Sequence, residues 1–415
     1  MNILYVSQYY PPEMGAPAAR VSELAQHWSA TGHKVTVLTG FPNHPTGVLD
    51  PGYRKRFHRL VWREKLQGVN VFRTWLWPLP NRKSAERILN YSSFFFSACV
   101  AGSFVERPDV VIATSPQLLV GLAGWWIARM KRVPLVFEVR DLWPESLLAV
   151  GVGSKNSVLN RSLGAIAGFL YRNSGHIVVV TSAVKEHLIN QWGVPATRIS
   201  VVENGVETDL FAPAAGNQAA RELNLTGKFV VSYVGTLGMA HGLGTIVDSA
   251  AQLGDEIPEV VFLLVGEGAE RKHLLDLVRE KGLGNVRFLS QQDREKIPAI
   301  ISASDVCLVL LRKSDLFKTG VPTKMLEFMS CGRPVILGVD GQARTLLEEA
   351  DAGLYVEPED SRSLTDAIRQ LHKDPELRQK LGANGRQFIL KNLSRKKTSE
   401  LYRDVLVKLL AEAPF

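Results

Sequence analysis

Lys324 and Glu327 stand three residues apart, just downstream of Thr319-Gly320-Val321-Pro322-Thr323. That spacing puts them on one face of a helix that opens from a loop. Gly320 and Pro322 break any preceding structure and preset φ for a helix start. Thr323 is a capping type, and Met325, Leu326, Phe328 and Met329 fall at the spacing of a buried helix face. Gly332 stops the helix, and Val335-Ile336-Leu337 begins a strand. The chemistry on offer is anion recognition. A helix N-terminus presents N–H groups and partial positive charge, Lys324 adds a formal charge, and the Glu327 carboxylate can accept two hydroxyl hydrogen bonds. Phosphate donors, a lysine and a diol acceptor this close suit a nucleoside diphosphate with its ribose. An ordinary loop–helix–strand turn is the competing reading.

Two further places carry chemistry. Arg140, Asp141 and Glu145 follow the apolar run Pro134–Val139, at the carboxyl end of an expected parallel strand, where such sheets bind ligands. A salt-bridged loop would look the same. Glu13 to Ala16 follow the strand Asn2–Ser7 in the same way, and Gly15 could bring backbone close to a phosphate or simply make a turn.

Positioning these groups requires two domains, since 415 residues exceed one core of usual size. Strand Asn2–Ser7, helix Ala18–Ala30 and strand Lys34–Thr39 start a doubly wound α/β sheet. The rhythm restarts with strand Phe229–Gly235, a glycine-rich loop Thr236–Gly242, a helix to Leu253, and strand Val260–Val265 ending in Gly266-Glu267-Gly268. The expectation is two Rossmann-like domains facing across a cleft, residues 1–200 and 201–394, with a final helix over 395–415. No Gly-x-Gly-x-x-Gly follows the first strand, which disfavours a nicotinamide cofactor.

Charge is uneven. Residues 1–200 hold 22 Lys and Arg against 11 Asp and Glu, and residues 201–415 hold 27 against 30. The first half therefore attracts anions. Between Arg54 and Phe96 basic residues alternate with Phe57, Trp62, Phe72, Trp75, Trp77, Tyr91 and Phe94-Phe95-Phe96. This suits an anionic membrane surface, a solvated basic face beside buried aromatics, or single-stranded nucleic acid; no nucleic-acid partner is expected. Cys99, Cys307 and Cys331 lack paired spacing and fit buried thiols in a reducing compartment. Met1 runs straight into a strand pattern without a basic leader, and no apolar stretch reaches membrane-spanning length. The expected location is cytoplasmic, peripheral on the inner membrane face if the basic aromatic stretch binds lipid.

The ordered series Pro11-Pro-Glu-Met-Gly15, Gly32–Thr39, Glu203-Asn204-Gly205 through Pro213, Val265–Gly268, Ser304-Asp305 and Pro322–Val335 resembles the GT-B-fold glycosyltransferases of family 4, the retaining nucleotide-sugar transferases. The likeness covers nearly the whole chain. It implies that the second half binds the nucleotide diphosphate sugar and the first half the acceptor. Glu327 would hold the ribose. Gly320, Val321, Pro322 and Thr323 would meet sugar and phosphates. Gly15 and Ala16 would approach the diphosphate, and Asn204, Gly235 and Glu267 would complete the donor site. Departures stand out. Thr319 occupies the place of the first of two glutamates common in the family. Thr236 and His241 stand where an arginine and a lysine are usual, so Lys324 and Arg312 would supply the positive charge. Arg140, beside Asp141, replaces a common histidine.

The resulting expectation is transfer of a sugar from a nucleotide diphosphate donor, with UDP the family's commoner choice, to a glycan acceptor. A polyprenyl-diphosphate-linked acceptor of bacterial polysaccharide or O-antigen assembly fits the basic aromatic stretch. Lys324, Arg140 and Asp141 are the catalytic candidates. No metal or other cofactor is expected, because a lysine and a helix start can take the place of a cation. Rival readings are a nucleotide-sugar epimerase using Asp141 and Glu145, and a non-catalytic nucleotide-binding protein at the membrane.

Overall fold

Apolar runs without polar alternation form parallel strands covered on both faces. The computed structural model describes residues 1–44, 46–80, 84–145, 157–214 and 216–412. The chain divides into two units: Met1–Glu203 with the final helix Arg395–Glu412, and Asn204–Ser394. Both have the α/β architecture expected from the sequence.

The first unit holds eight strands: β1 (Asn2–Val6), β2 (Lys34–Gly40), β3 (Val61–Leu66), β4 (Val69–Thr74), β5 (Val110–Thr114), β6 (Leu135–Val139), β7 (His176–Val179) and β8 (Ile199–Val201). Their order is β3-β4-β2-β1-β5-β6-β7-β8, and every pair is parallel except β3 with β4. One core lies under Ile3, Tyr5, Val21, Leu24 and Trp28, the other under Leu4, Val6, Leu38, Phe94 and Ile127. The edge hairpin β3–β4 turns through Gln67 and Gly68, both at positive φ, the geometry whose twist matches its strands.

That hairpin accounts for part of the basic aromatic stretch. Arg56 and Arg59 stack over Trp62, Arg63 over Phe72, and Arg73 over Tyr53. Arg73 is fully buried and bonds Glu64 at 2.6 Å. These rings and cations are paired with one another, as edge-strand packing requires. Leu60 and Trp77 stay exposed at the hairpin's ends, and further apolar side chains stand in solvent along the helices Ser84–Ser103 and Leu118–Lys131. Arg82 and Lys83 lie outside the described residues.

The second unit holds β9 (Phe229–Val234), β10 (Val260–Val265), β11 (Val286–Leu289), β12 (Val306–Leu310), β13 (Val335–Gly338) and β14 (Gly353–Tyr355), all parallel, in the order β11-β10-β9-β12-β13-β14. The order reverses between β9 and β12. Ligands in such sheets bind at the carboxyl ends of the strands beside that reversal, so the fold points to Gly235 and to the segment after Leu310. The final helix packs on the first helix, Ala16–Ala30: Trp28 Nε1 donates to Ser399 O at 2.9 Å and Arg395 bonds Glu23 at 2.7 Å.

Candidate functional site

At the carboxyl end of β9 the chain must stay open. Gly235 has φ of +144°, and a Cβ there would sit 2.8 Å from Lys324 Nζ. The lysine comes from the helix Thr323–Ser330, which starts after β12. Its ammonium donates to the Tyr233 hydroxyl at 2.7 Å and lies 3.9 Å from the centre of that ring. The hydroxyl in turn donates to Thr236 O at 2.8 Å. Burial pulls Lys324 down to about 7, against the opposing pull of Glu327 one turn along the helix. The His241 ring meets Tyr233 edge-on at 5.9 Å, and Nδ1 donates to Leu310 O at 3.3 Å. Burial, then the charge of Lys324, depresses His241 to about 4, so it is neutral at neutral pH.

Gly235, Thr236, His241, Lys324 and Glu327 therefore cluster as the sequence suggests. The strap before the helix behaves differently. Thr319 ends the short turn Phe317–Thr319, and its hydroxyl donates to Leu316 O at 2.7 Å. Gly320 is extended, and a Cβ there would meet nothing within 4 Å. Val321 follows, and Pro322 is the N-cap. Thr323 is the first helical residue, so it does not cap the helix as its type suggested, and no side chain does. Met325 N–H donates back to Pro322 O at 3.0 Å, and with no side-chain cap the Thr323 and Lys324 N–H groups are left to an outside acceptor.

Arg312 is exposed beyond β12. Its backbone N–H donates to Ala240 O at 2.8 Å, and its stem runs beside Gly242. Glu267 is exposed and pairs with Arg271 at 3.5 Å, while its carbonyl accepts from Leu237 at 2.9 Å. Asn204 opens the second unit, two residues before Val206, which is bonded to Leu393 O.

In the first unit, Gly15 precedes the first helix at φ +124° with no side-chain cap, and both Gly15 and Ala16 are exposed. Behind them Glu13 is buried. It accepts N–H bonds from Asn43 and His44 at 3.0 Å and from Tyr10 at 3.3 Å. Burial raises its carboxyl to about 7 in spite of those donors.

Arg140 and Asp141 follow β6, with both backbone N–H groups on Ser115 Oγ at 2.8 and 3.3 Å. Arg140 is half-buried and Asp141 exposed. Beneath them Glu138 is saturated by Arg20, Tyr5 and Thr114. Arg140 Nε and Nη1 are shielded from solvent and meet no acceptor among the described residues. Guanidinium nitrogens left without an acceptor at a strand end have the chemistry to receive an anion or sugar hydroxyls. Glu145 instead pairs with His187 at 3.2 Å.

Sequence reasoning missed Tyr233, which lies inside a wholly buried apolar run, and the Arg20–Glu138 pair, whose only signal was a carboxylate in the middle of an apolar strand. Among the described residues no helix is long and apolar enough to cross a membrane.

Two family models match the chain: Glycosyl transferases group 1 over residues 217–388, and Glycosyl transferase 4-like domain over residues 15–205. A curated relative of Escherichia coli K12, described as putative colanic acid biosynthesis glycosyl transferase WcaI, is 24% identical over 384 residues, spanning 89% of this chain and 92% of its own. Sucrose-phosphate synthase from Thermosynechococcus elongatus shares the fold with a TM-score of 0.79 at 22% identity, covering 99% of this chain and 100% of its own. Anabaena HepE, solved in complex with UDP-glucose, matches with a TM-score of 0.74 at 18% identity over 98% of this chain and 100% of its own.

Proposed function

Because this chain belongs to the GT-B-fold glycosyltransferases of family 4, we propose that it moves a sugar from a UDP-linked donor to a lipid-linked glycan, with retained anomeric configuration, in the assembly of a bacterial cell-surface polysaccharide. The relative described as a colanic acid biosynthesis enzyme supports the pathway class, and the UDP-glucose complex of a protein of the same fold supports the donor class.

The observation that carries the donor half is Lys324. It stands at an uncapped helix start, above the carboxyl end of β9, where the strand order reverses. The difficulty of glycosyl transfer is charge. The bond from C1 to the diphosphate breaks as C1 becomes cationic, and negative charge collects on the leaving phosphate. Preorganised donors aimed at that phosphate lower the barrier. The Lys324 ammonium and the backbone N–H groups of Thr323 and Lys324 are such donors, which makes the reaction metal-independent in this reading. Glu327 accepts the ribose hydroxyls. In the first unit Arg140, with two guanidinium nitrogens that meet no acceptor among the described residues, takes the acceptor's side. The lipid of the acceptor brings the enzyme to an anionic membrane surface, on the exposed face of the helices Ser84–Ser103 and Leu118–Lys131.

The test is a panel of UDP-sugars with polyprenyl-diphosphate glycans, with and without a chelator. Transfer from one donor, undiminished by the chelator, is expected, with the product anomer matching the donor's. Lys324→Ala and Glu327→Ala should each lower kcat/KM at least 100-fold. Unchanged turnover in both variants would overturn the site. Conversion of the donor sugar without acceptor would make the protein an epimerase.

A further inference from the structure

The partner of Lys324 is uncharged. Its ammonium rests on Tyr233 Oη at 2.7 Å, and that hydroxyl spends its own proton on Thr236 O at 2.8 Å, which leaves a lone pair turned to the lysine. Tyr233 is itself fully buried on β9, so it cannot follow the lysine elsewhere. Gly235 closes the other side: a Cβ there would come within 2.8 Å of Nζ and 3.1 Å of Cε. The charged and titratable groups facing the ammonium are few. From the turn after β9 comes His241, held neutral by burial; from its own helix comes Glu327, which favours the charged form. A buried ammonium on a neutral oxygen is short of negative charge.

We propose that Tyr233 is the positioning residue for Lys324: it parks the ammonium on an uncharged oxygen beside Gly235, and the donor diphosphate completes the charge, so that donor binding draws in a proton. The proton comes from solvent and ends on Lys324 Nζ, and no covalent bond is made or broken. This rests on the reading that Lys324 meets the diphosphate. The depressed basicity of Lys324, about 7, agrees with it. A lysine paired with a carboxylate in the empty site would bind the same diphosphate without any proton uptake.

Calorimetry with UDP in two buffers of different ionisation enthalpy tests the coupling. Wild-type protein should take up about half a proton at pH 7 and about 0.9 at pH 8, and its affinity for UDP should fall about fivefold over that interval. Lys324→Met should lose both the uptake and most of the affinity. Tyr233→Phe keeps the ring and removes the acceptor oxygen. It should weaken UDP binding several-fold and move the break in the affinity–pH curve to lower pH, a shift that a merely structural role for the hydroxyl would not produce. If Lys324→Met binds UDP like wild type, the donor-site reading itself falls. If Lys324→Met loses UDP but wild type shows no buffer-dependent heat, the proton coupling is wrong and the donor site stands. If Tyr233→Phe keeps the wild-type break, Tyr233 does not position the lysine. Should that variant fail to fold, the wild-type buffer dependence still decides the coupling.

Discussion

Arg20 Nε lies 2.9 Å from Glu138 Oε1, with both side chains closed off from solvent. The pair joins the first helix to β6. Glu138 Oε2 accepts from Tyr5 and Thr114, each at 2.7 Å, and the Arg20 Nη atoms donate to Val202 O and Glu203 O. Burial pushes the Glu138 carboxyl up, but Arg20, Arg140 and the two hydroxyls outweigh it and hold the group below its usual value. Breaking such a pair from one side leaves an uncompensated buried charge. Glu138→Ala should therefore cost about 3–5 kcal/mol in chemical denaturation. The double change Arg20→Met with Glu138→Leu should recover much of that loss, because it removes both charges together. A single variant as stable as wild type would show that the pair holds nothing together.

Gly235 and Gly320 make a paired prediction. Gly235→Ala meets a steric limit twice, through φ of +144° and through the Lys324 side chain 2.8 Å from the new Cβ. It should lower transfer at least tenfold by displacing the ammonium, with a drop in Tm of a few degrees. Gly320→Ala has open space and ordinary backbone angles, so Tm should hold. Its methyl group would enter the space before the uncapped helix start, so KM for the donor should rise. Equal effects of the two changes on Tm would contradict this assignment of strain.

What could be read from the sequence was what is local. Lys324, Glu327, Gly320 and Pro322 sit within eight residues, and the periodicity after them marks a helix whichever domain holds it. Tyr233 could not be found that way. Phe229–Val234 is buried throughout, and nothing in the run separates a packing tyrosine from one that holds a lysine 91 residues later. Only the adjacency of β9 and β12 brings the two together. The β3–β4 hairpin was hidden for the opposite reason. Its alternation of Trp62, Arg63, Glu64, Lys65 and Leu66 reads as composition until Arg73 and Glu64 are seen to pair across it. Thr323 failed as a cap because the proline before it already provides the extended residue that a helix start needs.

Glu13 should give the protein a pH signature. Its carboxyl is raised from 4.5 to about 7 by burial, so between those values the folded state holds a proton that the unfolded state has released. With more protons bound in the folded form, stability falls as pH rises from about 4.5 to 7 and then levels off. Glu13→Gln cannot titrate and should flatten that part of the curve in denaturation series at several pH values. A slope that persists in the variant would assign the effect to another group.

Phe96, Val100 and Phe104 follow one another at four-residue spacing along the helix Ser84–Ser103 and just past it, 67%, 62% and 71% exposed. Trp126 and Met130 are exposed on the neighbouring helix, and Ser103 Oγ, 3.5 Å from Met130 Sδ, joins the two. Arg107, Arg129 and Arg132 are exposed alongside. Apolar rings rimmed by arginine suit the boundary of an anionic bilayer, where the rings enter the headgroup layer and the cations meet phosphate. The protein should sediment with anionic vesicles at low salt and less at high salt. Phe96→Ser with Phe104→Ser should abolish sedimentation even at low salt. Both side chains are already exposed, so the double variant should keep its Tm and its turnover on a soluble acceptor. Arg129→Gln with Arg132→Gln should instead reduce only the salt-sensitive part of binding. Wild-type protein that stays in the supernatant under every condition would remove the membrane from the proposed reaction and leave a soluble acceptor in its place.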